Sequence, residues 1–274
     1  FIHYKMKTLL KDFSKTSDSY LLTGGTDLAL EVTKKRKNLK NIFYLGSNDE
    51  LNYINVKNNN IHIGAATPIN DIIPILEKYY PNFSKMFERY GSEQIRNTAS
   101  LGGNIGSASP IGDSLPVLMS LDGKLITEGR VKKLISFDNF FIDYRKTKLG
   151  KKEIIKEIII PLHKKHILKC YKISKRIDDD ISSIFMAINA KLEHNKFKHI
   201  KIVCGGMASV PKIAKLTQSY LENLLRLNIS QLGLLIFFLQ LFQKIHQHCR
   251  RLKLRSLHNQ IFDETPYHRP KNFH

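Results

Sequence analysis

The fold is decided by the stretch Gln94-Ile-Arg-Asn-Thr-Ala-Ser-Leu-Gly-Gly-Asn-Ile-Gly-Ser-Ala-Ser-Pro-Ile-Gly-Asp113. Small and polar residues replace almost all large side chains along it. A run of this composition cannot build a core by itself. Gly102 and Gly103 permit positive φ and leave backbone N–H groups uncovered, so a ligand that carries phosphates can approach the main chain closely. Short hydrogen-bonding side chains lie beside the pair, from Thr98, Ser100, Asn104 and Ser109.

A second glycine loop lies upstream, at Leu21-Leu-Thr-Gly-Gly-Thr-Asp-Leu28. Its two glycines lie between an apolar pair, Leu21-Leu22, and a polar pair, Thr26-Asp27. Neither loop has the G-x-G-x-x-G spacing of a Rossmann fold or the G-x-x-x-x-G-K-[ST] spacing of a Walker loop. An isolated Gly-Gly pair most often marks a turn. Here both pairs have hydroxyl side chains beside them, and the second is followed by Ser109-Pro110 and Asp113. Together the two loops predict one extended ligand with two phosphates.

Length and charge set the first bounds on function. The chain has 274 residues, enough for one large domain or two ordinary ones, and its 42% hydrophobic content suffices for a sizeable core. A formal net charge of +20 would ordinarily indicate a nucleic-acid partner. No basic stripe with interleaved aromatic residues is present, so we predict no nucleic-acid partner. Most of the charge is interpreted as a solvated surface; the alternative is that it attracts nucleotides or an acidic partner subunit.

The cysteines and the apolar runs exclude further classes. Cys170, Cys204 and Cys249 are too far apart for a C-x-x-C motif or an iron–sulfur pattern, and each is interpreted as a small buried hydrophobe. Their scarcity is typical of a reducing cytoplasm, where we place the protein. The longest apolar run, at 232–242, is too short to cross a bilayer. The histidines lack metal-like spacing, so no metal site is predicted. The start at Phe1 rather than Met suggests a fragment.

Hydrophobic periodicity predicts mixed α/β structure up to residue 162. The strand patterns lie at residues 20–22, 42–45, 61–64, 124–127 and 154–160. The helix patterns lie within residues 1–20, at 70–77 with Asn70 as N-cap and Pro74 as a possible kink, at 83–90 and at 115–121. The basic segment 163–166 is the candidate domain boundary.

Beyond the boundary, the pattern predicts a small α+β domain over residues 163–217. It consists of a strand near Tyr171, a helix starting around Asp180, and strands at 187–192 and 199–204 joined by a polar turn. From about Gln218 the composition changes to an apolar run followed by a stretch rich in His, Arg and Lys. We interpret residues 218–274 as a basic tail that is divergent or out of frame.

Several ordered motifs resemble those of a known family, the FAD-binding domain of the molybdenum hydroxylases, which includes the xanthine dehydrogenase and carbon monoxide dehydrogenase flavoproteins. The motifs are Thr23-Gly-Gly-Thr-Asp-Leu28, Gln94-Ile-Arg-Asn97, Ser100-Leu-Gly-Gly-Asn-Ile105 and Ala108-Ser-Pro110 with Asp113. Three others narrow the resemblance to the small subunit of bacterial xanthine dehydrogenases: Phe140-Phe-Ile-Asp-Tyr-Arg-Lys-Thr147, Tyr171-Lys-Ile-Ser-Lys-Arg-Ile-Asp-Asp-Asp-Ile181 and Gly205-Gly-Met-Ala208. The match runs from about residue 22 to residue 216.

The resemblance implies an α+β protein, with a two-lobed α/β FAD-binding domain of the PCMH type over residues 1–162 and a small C-terminal domain with an antiparallel sheet over 163–217. It implies FAD as the cofactor and NAD as the electron acceptor. It also implies partner subunits or domains that carry molybdopterin and iron–sulfur clusters, and no catalytic residue on this chain. In related small subunits an iron–sulfur domain precedes the flavin domain, so we expect either a fragment or a separately encoded arrangement.

The resemblance further implies which residues hold FAD. The glycine loops would hold the pyrophosphate and ribityl portions, and Asp113 would bond hydroxyl or amide groups. Tyr90 would pack near the cofactor, Leu149 would touch the ring region, and Lys172 would lie near the flavin. By itself, Asp113 could equally be a solvated helix N-cap. The predicted cofactor-binding residues are Leu21, Leu22, Thr23, Gly24, Gly25, Thr26, Asp27, Leu28, Tyr90, Ser100, Leu101, Gly102, Gly103, Asn104, Asp113, Leu149 and Lys172.

Alternatives remain open at this point. The charged pair Lys175-Arg176 with Asp178-Asp-Asp180 is either an exposed cluster or a group that tunes a nearby flavin and the approach of NAD. A flavoprotein of the carbon monoxide dehydrogenase type, or of another aldehyde or purine hydroxylase, would differ in substrate and acceptor. A basic nucleotide-binding module without catalysis is the alternative from another class.

Overall fold

The computed structural model describes residues 1–2, 5–194 and 196–223. Its helices are α1 (Met6–Lys15), α2 (Ala29–Thr33), α3 (Ile69–Tyr79), α4 (Pro81–Glu88), α5 (Glu93–Thr98), α6 (Leu101–Ser107), α7 (Ser114–Ser120), α8 (Phe137–Phe140) and α9 (Lys215–Asn223). Its strands are β1 (Ser19–Leu22), β2 (Asn41–Tyr44), β3 (Ile54–Lys57), β4 (Asn60–Gly64), β5 (Lys124–Glu128), β6 (Lys133–Ser136), β7 (Phe141–Asp143), β8 (Lys146–Thr147), β9 (Ile154–Pro161), β10 (His166–Ile173), β11 (Ile184–Glu193), β12 (Lys196–Gly205) and β13 (Lys212–Ile213).

The first lobe is a small α/β unit made of α1, β1, α2 and β2. Strands β1 and β2 pair in parallel, so the chain must cross over between them, and that crossover contains the first glycine loop and α2. Helix α1 places Met6, Leu9 and Phe13 on one face, and this face is buried against Phe43 of β2. The first glycine loop therefore begins at the end of β1, in a lobe whose strands are held in place by the packing of α1.

The second lobe is built on a five-stranded antiparallel sheet in the order β3-β4-β9-β5-β6. Buried residues of three adjacent strands, Ile63, Leu125 and Ile158, share one core with Ile72 of α3 and Leu118 of α7. Helices α3, α4, α6 and α7 therefore share a core with this sheet, and α5 packs on α3. The second glycine loop runs through α5 and α6. Burial of this core supplies the main driving force for the lobe.

The C-terminal domain is a four-stranded antiparallel sheet in the order β10-β11-β12-β13, with α9 packed on it. Phe185 and Val203 extend into the core of the second lobe, whereas Ile188 and Ile200 join a separate cluster with Leu221 of α9. This arrangement confirms the predicted α+β fold: a two-lobed α/β domain followed by a small domain with an antiparallel sheet. The hairpin of β11 and β12 confirms the two strands predicted around the polar turn at 193–196.

The predicted helix starting around Asp180 is wrong. Residues between β10 and β11 form a loop, in which the Asp180 carboxylate accepts hydrogen bonds from the backbone N–H groups of Arg176 and Ile181, both at 2.9 Å. An aspartate that bonds to backbone on both sides competes with helix formation and favours a turn. Strand β11 then begins at Ile184, which leaves no room for a helix.

The N-cap prediction for α3 is also wrong. The helix begins after Pro68 and includes Asn70 and Pro74, so Pro74 does not end it. Pro74 is the sixth residue of the helix, so the hydrogen bond that a residue there would donate to Asn70 O is missing, and the rest of the helix tolerates this loss. The Asn70 side chain instead forms hydrogen bonds with the side chains of Arg96 and Asn97 in α5. This contact ties α3 to the residues that precede the second glycine pair.

Helix α9 extends to Asn223, beyond the predicted domain end at residue 217. Its Gln218 side chain accepts a hydrogen bond from the N–H of Ile202 at 3.0 Å, which anchors the helix on β12. The part of the predicted tail from 224 to 274, and Cys249 with it, lies outside the described residues. Across the described ranges, no helix combines the length and the apolar character needed to cross a bilayer.

Candidate functional site

A cleft of about 790 Å³ lies where the first glycine loop, helix α6 and the C-terminal domain meet. All predicted cofactor-binding residues line it except Gly24 and Leu101. It also receives residues that the sequence did not single out, among them Tyr20, Leu30, Arg145, Ile155 and Ile181. The structure therefore brings together most of the predicted set, although its members are distributed over more than 150 positions of the chain.

The first glycine loop leaves backbone N–H groups without a protein acceptor among the residues that the structure describes. The backbone N–H groups of residues 23–28 donate to no acceptor within the described part of the chain, and all of these residues except Gly24 line the cleft. Gly25 has a φ of +73°, a conformation that favours glycine. Consecutive N–H groups in such a turn form a concave site for an anion. The loop is therefore a candidate phosphate cradle, and its role in holding a cofactor stays a prediction.

The second glycine loop differs from the prediction, because its residues are helical. Ser100 caps α6, and its side chain accepts from the N–H of Gly103 at 3.1 Å. The N–H of Gly102 donates to Ala65 O at 3.0 Å, and that of Asn104 donates to Ser100 O at 3.0 Å. Gly102 and Gly103 are not among the glycines with positive φ. The prediction that they leave their N–H groups uncovered is therefore wrong.

Gly24 and Gly102 are required for packing of the cleft walls. A Cβ at Gly24 would lie 1.8 Å from Thr98 O, and a Cβ at Gly102 would lie 2.4 Å from Ala65 O. Both positions therefore exclude any larger residue, because the obstructing atoms belong to backbone. A hydrogen bond of 2.9 Å from Ser100 Oγ to Thr23 Oγ1 joins the two loops. The glycine pairs thus position one loop against the other, and the second loop acts as a scaffold for the first.

A buried ion pair closes the cleft on the side of the C-terminal domain. Lys172 Nζ on β10 lies 2.5 Å from Asp113 Oδ2, and the two side chains are 5% and 4% exposed. Ser182 Oγ donates to the other carboxylate oxygen of Asp113. Asp113 makes no side-chain cap at the start of α7, so its interpretation as a solvated N-cap is wrong. A charge buried this deeply requires a partner, and Lys172 provides it.

Tyr90 lies next to the pair of Lys172 and Asp113, and its hydroxyl is held by Asn104. Asn104 Nδ2 donates to the Tyr90 hydroxyl at 2.9 Å, and Ser114 Oγ donates to Asn104 Oδ1 at 2.5 Å. Burial, with a smaller contribution from the charge of Asp113, raises the pKa of Tyr90 to about 12. The phenol therefore stays protonated at neutral pH. Its own proton has no acceptor among the described residues, which leaves an O–H donor for a ligand.

The charged loop at 174–181 is held by Arg89, which sequence reasoning missed. The Arg89 guanidinium donates to Ile177 O at 2.9 and 3.0 Å, to Lys172 O at 3.2 Å and to Ser174 Oγ at 3.2 Å. Asp179 and Asp180 line the cleft, whereas Lys175 does not. One part of the loop is therefore exposed to solvent, and the other part lines the cleft. An arginine at the end of a helix gives no sequence signal for contacts with carbonyl groups more than eighty residues away.

Two sequence families match the chain. The family described as the FAD binding domain in molybdopterin dehydrogenase matches residues 3–163, and the CO dehydrogenase flavoprotein C-terminal domain matches residues 169–224. The chain belongs to the FAD-binding family of the molybdopterin dehydrogenases. The C-terminal match ends at residue 224, one residue beyond the described part of the chain.

Individual relatives agree with this family. Xanthine dehydrogenase of Emericella nidulans is 31% identical over 233 residues, which are 80% of this chain but 17% of that protein. The nicotinate dehydrogenase FAD-subunit of Eubacterium barkeri is 31% identical over 180 residues, which are 63% of this chain and 61% of that protein. A chain of carbon monoxide dehydrogenase from Hydrogenophaga pseudoflava has the same fold, with a TM-score of 0.79 and 20% identity over 84% of this chain and 81% of that one.

Proposed function

We propose that the chain is the FAD-binding part of a xanthine dehydrogenase-like molybdenum hydroxylase, and that the cleft holds FAD. The observation that carries the proposal is the row of N–H groups at residues 23–28, which have no protein acceptor among the described residues and belong, except for Gly24, to residues that line the cleft. A diphosphate presents several oxygens to such a row and satisfies them. FAD contains a diphosphate between its two nucleotide halves, so the row of N–H groups fits FAD better than FMN, which has a single phosphate.

The walls of the cleft supply different groups to the two halves of an extended ligand. The first lobe contributes the apolar and aromatic side chains of Tyr20 and Leu30 beside the loop. The other walls contribute Tyr90, Leu149 and Lys172. When bound, FAD supplies a ring that accepts two electrons, and the protein supplies binding, orientation and electrostatics. We assign the ring to the side with Tyr90 and Lys172.

The Lys172–Asp113 pair sets the electrostatics on the ring side. A lone buried lysine would stabilise negative charge on a neighbouring ring strongly, because the surroundings screen little. Asp113 compensates most of that charge at 2.5 Å. The neutral phenol of Tyr90 adds a hydrogen-bond donor without adding charge. We therefore expect this side of the cleft to orient the ring by hydrogen bonds and to shift its potential only moderately.

The proposed acceptor is NAD, and the proposed partners are a molybdopterin-binding large subunit and an iron–sulfur domain or subunit, as the motifs at 140–147 and 171–181 imply. The chain spans 17% of the length of the xanthine dehydrogenases that it matches, so these partners would lie on other chains or on other parts of a longer one. A second candidate is the flavin subunit of a nicotinate dehydrogenase-like or carbon monoxide dehydrogenase-like enzyme. The match to 61% of a separate nicotinate dehydrogenase FAD-subunit favours it.

An absorption spectrum of the purified full chain, followed by release and chromatography of the bound chromophore, tests the proposal. We expect a yellow protein with FAD in near-equal amount, and loss of the flavin absorption when NADH is added without oxygen. Bound FAD without reduction by NADH would favour the second candidate. Binding of other nucleotides without FAD would contradict both and favour a non-catalytic nucleotide-binding module.

A further inference from the structure

Both oxygens of the Asp113 carboxylate are held by residues of the C-terminal domain. Lys172 Nζ contacts Oδ2 at 2.5 Å, and Ser182 Oγ contacts Oδ1 at 2.5 Å. Asp113 and Ser182 are 3% and 2% exposed, so water does not compete for these contacts. Hydrogen bonds to a charged group are short and strong, and two of them from different elements fix its orientation.

Ser182 lies where the loop at 174–181 returns to the sheet. The N–H of Ser183 donates to Ile173 O at 2.7 Å and closes the base of this loop. Asp179, Asp180 and Ile181, the last three residues of the loop, line the cleft. The hydroxyl of Ser182 is therefore the point at which the end of the loop is bonded to the first domain. Loss of this contact would act on the loop, on Asp113 and on Lys172 together.

We propose that Ser182 is a positioning residue of the flavin site, which fixes Asp113 and through it the cation of Lys172. The inference rests on the proposed function. Without the Ser182 hydroxyl, Oδ1 of Asp113 loses its donor in a buried place, so more negative charge acts on the cleft. Added negative charge disfavours electron uptake by a neighbouring ring. We expect the midpoint potential of the bound flavin to fall, and the affinity for FAD to weaken about three- to tenfold.

The test compares three variants of the full chain loaded with FAD. Ser182→Ala removes the hydroxyl, Ser182→Cys keeps nearly the same volume with a weaker donor, and Ser183→Ala is the matched control in the neighbouring residue. The readouts are the flavin absorption spectrum, the midpoint potential and the dissociation constant of FAD. We expect a lower potential and weaker binding for Ser182→Ala, an intermediate effect for Ser182→Cys, and wild-type values for Ser183→Ala.

The outcomes separate this inference from the proposed function. If the unaltered chain binds FAD but Ser182→Ala and Ser183→Ala have the same potential and affinity, the role of Ser182 is overturned and the proposed function stands. If Ser182→Ala does not fold, an unchanged potential in Ser182→Cys overturns the inference in the same way. If the unaltered chain binds no FAD, the proposed function fails and the inference fails with it.

Discussion

At the scale of single residues, the Tyr90 hydroxyl is a hydrogen-bond donor for a ligand in the cleft. Its oxygen already accepts from Asn104 Nδ2 at 2.9 Å, and Asn104 is oriented by Ser114. Because burial keeps the phenol protonated, with a pKa of about 12, the remaining hydrogen-bonding capacity of Tyr90 is that of a donor. A ligand group that meets it must therefore accept, as the carbonyl oxygens and ring nitrogens of a flavin do.

Tyr90→Phe should weaken FAD binding about three- to tenfold, because it removes one hydrogen bond worth roughly 1 kcal/mol. The measurement is quenching of flavin fluorescence during titration of the full chain. Tyr79→Phe is the control, since Tyr79 is half-buried in the same core but does not line the cleft. Equal affinities for the two variants would show that the Tyr90 hydroxyl does not contact the cofactor.

Residues whose chemistry is visible in the sequence were the predictable part of the site. Asp113 follows a glycine-rich stretch and Lys172 was implied by the family resemblance, and both line the cleft. Ser182 and Arg89 were missed, because a serine and an arginine are common on surfaces and only the packing of two domains gives them their partners. The roles of the predicted set in holding FAD remain a prediction, which the variants above address.

At the scale of elements, helix α6 shows why glycine was misread. Gly102 and Gly103 were predicted to form a loop with uncovered N–H groups, whereas Ser100 caps a helix in which Gly102 packs closely on Ala65, directly after β4. A glycine in a helix costs backbone entropy relative to alanine, so it is retained where a side chain does not fit. Such close packing depends on Ala65, a residue more than thirty positions away, and no local pattern reveals it.

Gly102→Ala should destabilise the chain by about 2–4 kcal/mol, because its Cβ would lie 2.4 Å from Ala65 O in a tightly packed place. Gly106→Ala, in the same helix, meets only Ile155 Cδ1 at 3.8 Å and should be neutral or more stable by about 0.5–1 kcal/mol. Urea unfolding of both variants measures the difference. Similar stabilities would contradict the close packing of α6 on β4.

Arg89→Met should loosen the loop at 174–181 without unfolding the sheet that carries it. The variant loses the hydrogen bonds to Ile177 O, Lys172 O and Ser174 Oγ, so the exposed bonds after Lys175 and Arg176 should be cut faster by trypsin. Arg130→Met, in an exposed turn, is the control. Cleavage at the same rate in both variants would show that Arg89 does not hold the loop.

The alternating strands and helices and the C-terminal hairpin were predictable from periodicity. The helix expected around Asp180 was not formed, because hydrogen bonds from the Asp180 carboxylate to Arg176 and Ile181 favour a turn and β11 follows at once. The position of one domain on the other could not be derived from either pattern. That position depends on buried contacts between Phe185 or Val203 and the core of the second lobe.

At the scale of the whole molecule, the site belongs to both domains. The first domain supplies the open N–H groups and Asp113, and the C-terminal domain supplies Lys172 and Ser182. Another contact, from the buried Lys201 to the more exposed Asp122 and Asp138, joins the C-terminal sheet to the end of α7 and the start of α8. The cleft should therefore form only when the two domains are folded together.

Buried tyrosines make the whole molecule sensitive to alkaline pH. Burial raises the pKa values of Tyr53, Tyr80, Tyr90 and Tyr171, so the folded state keeps protons that the unfolded state releases near pH 10. Stability should therefore fall as the pH rises from 10 to 12, by roughly 1–3 kcal/mol for Tyr90 alone. Urea unfolding at pH 9 and pH 11 should show a smaller fall in Tyr90→Phe than in the unaltered chain. An equal fall would contradict the burial of Tyr90.

The central claim is that the first glycine loop, and not the second, binds the diphosphate of FAD through its main chain. Hydrogen–deuterium exchange of the full chain with and without FAD tests it most directly. We predict that the N–H groups of residues 23–28 exchange rapidly alone and slow at least about tenfold with FAD, whereas those of 102–104 are protected in both states by their bonds to Ala65 and Ser100. Unchanged exchange at 23–28, with new protection confined to 102–104, would contradict the account.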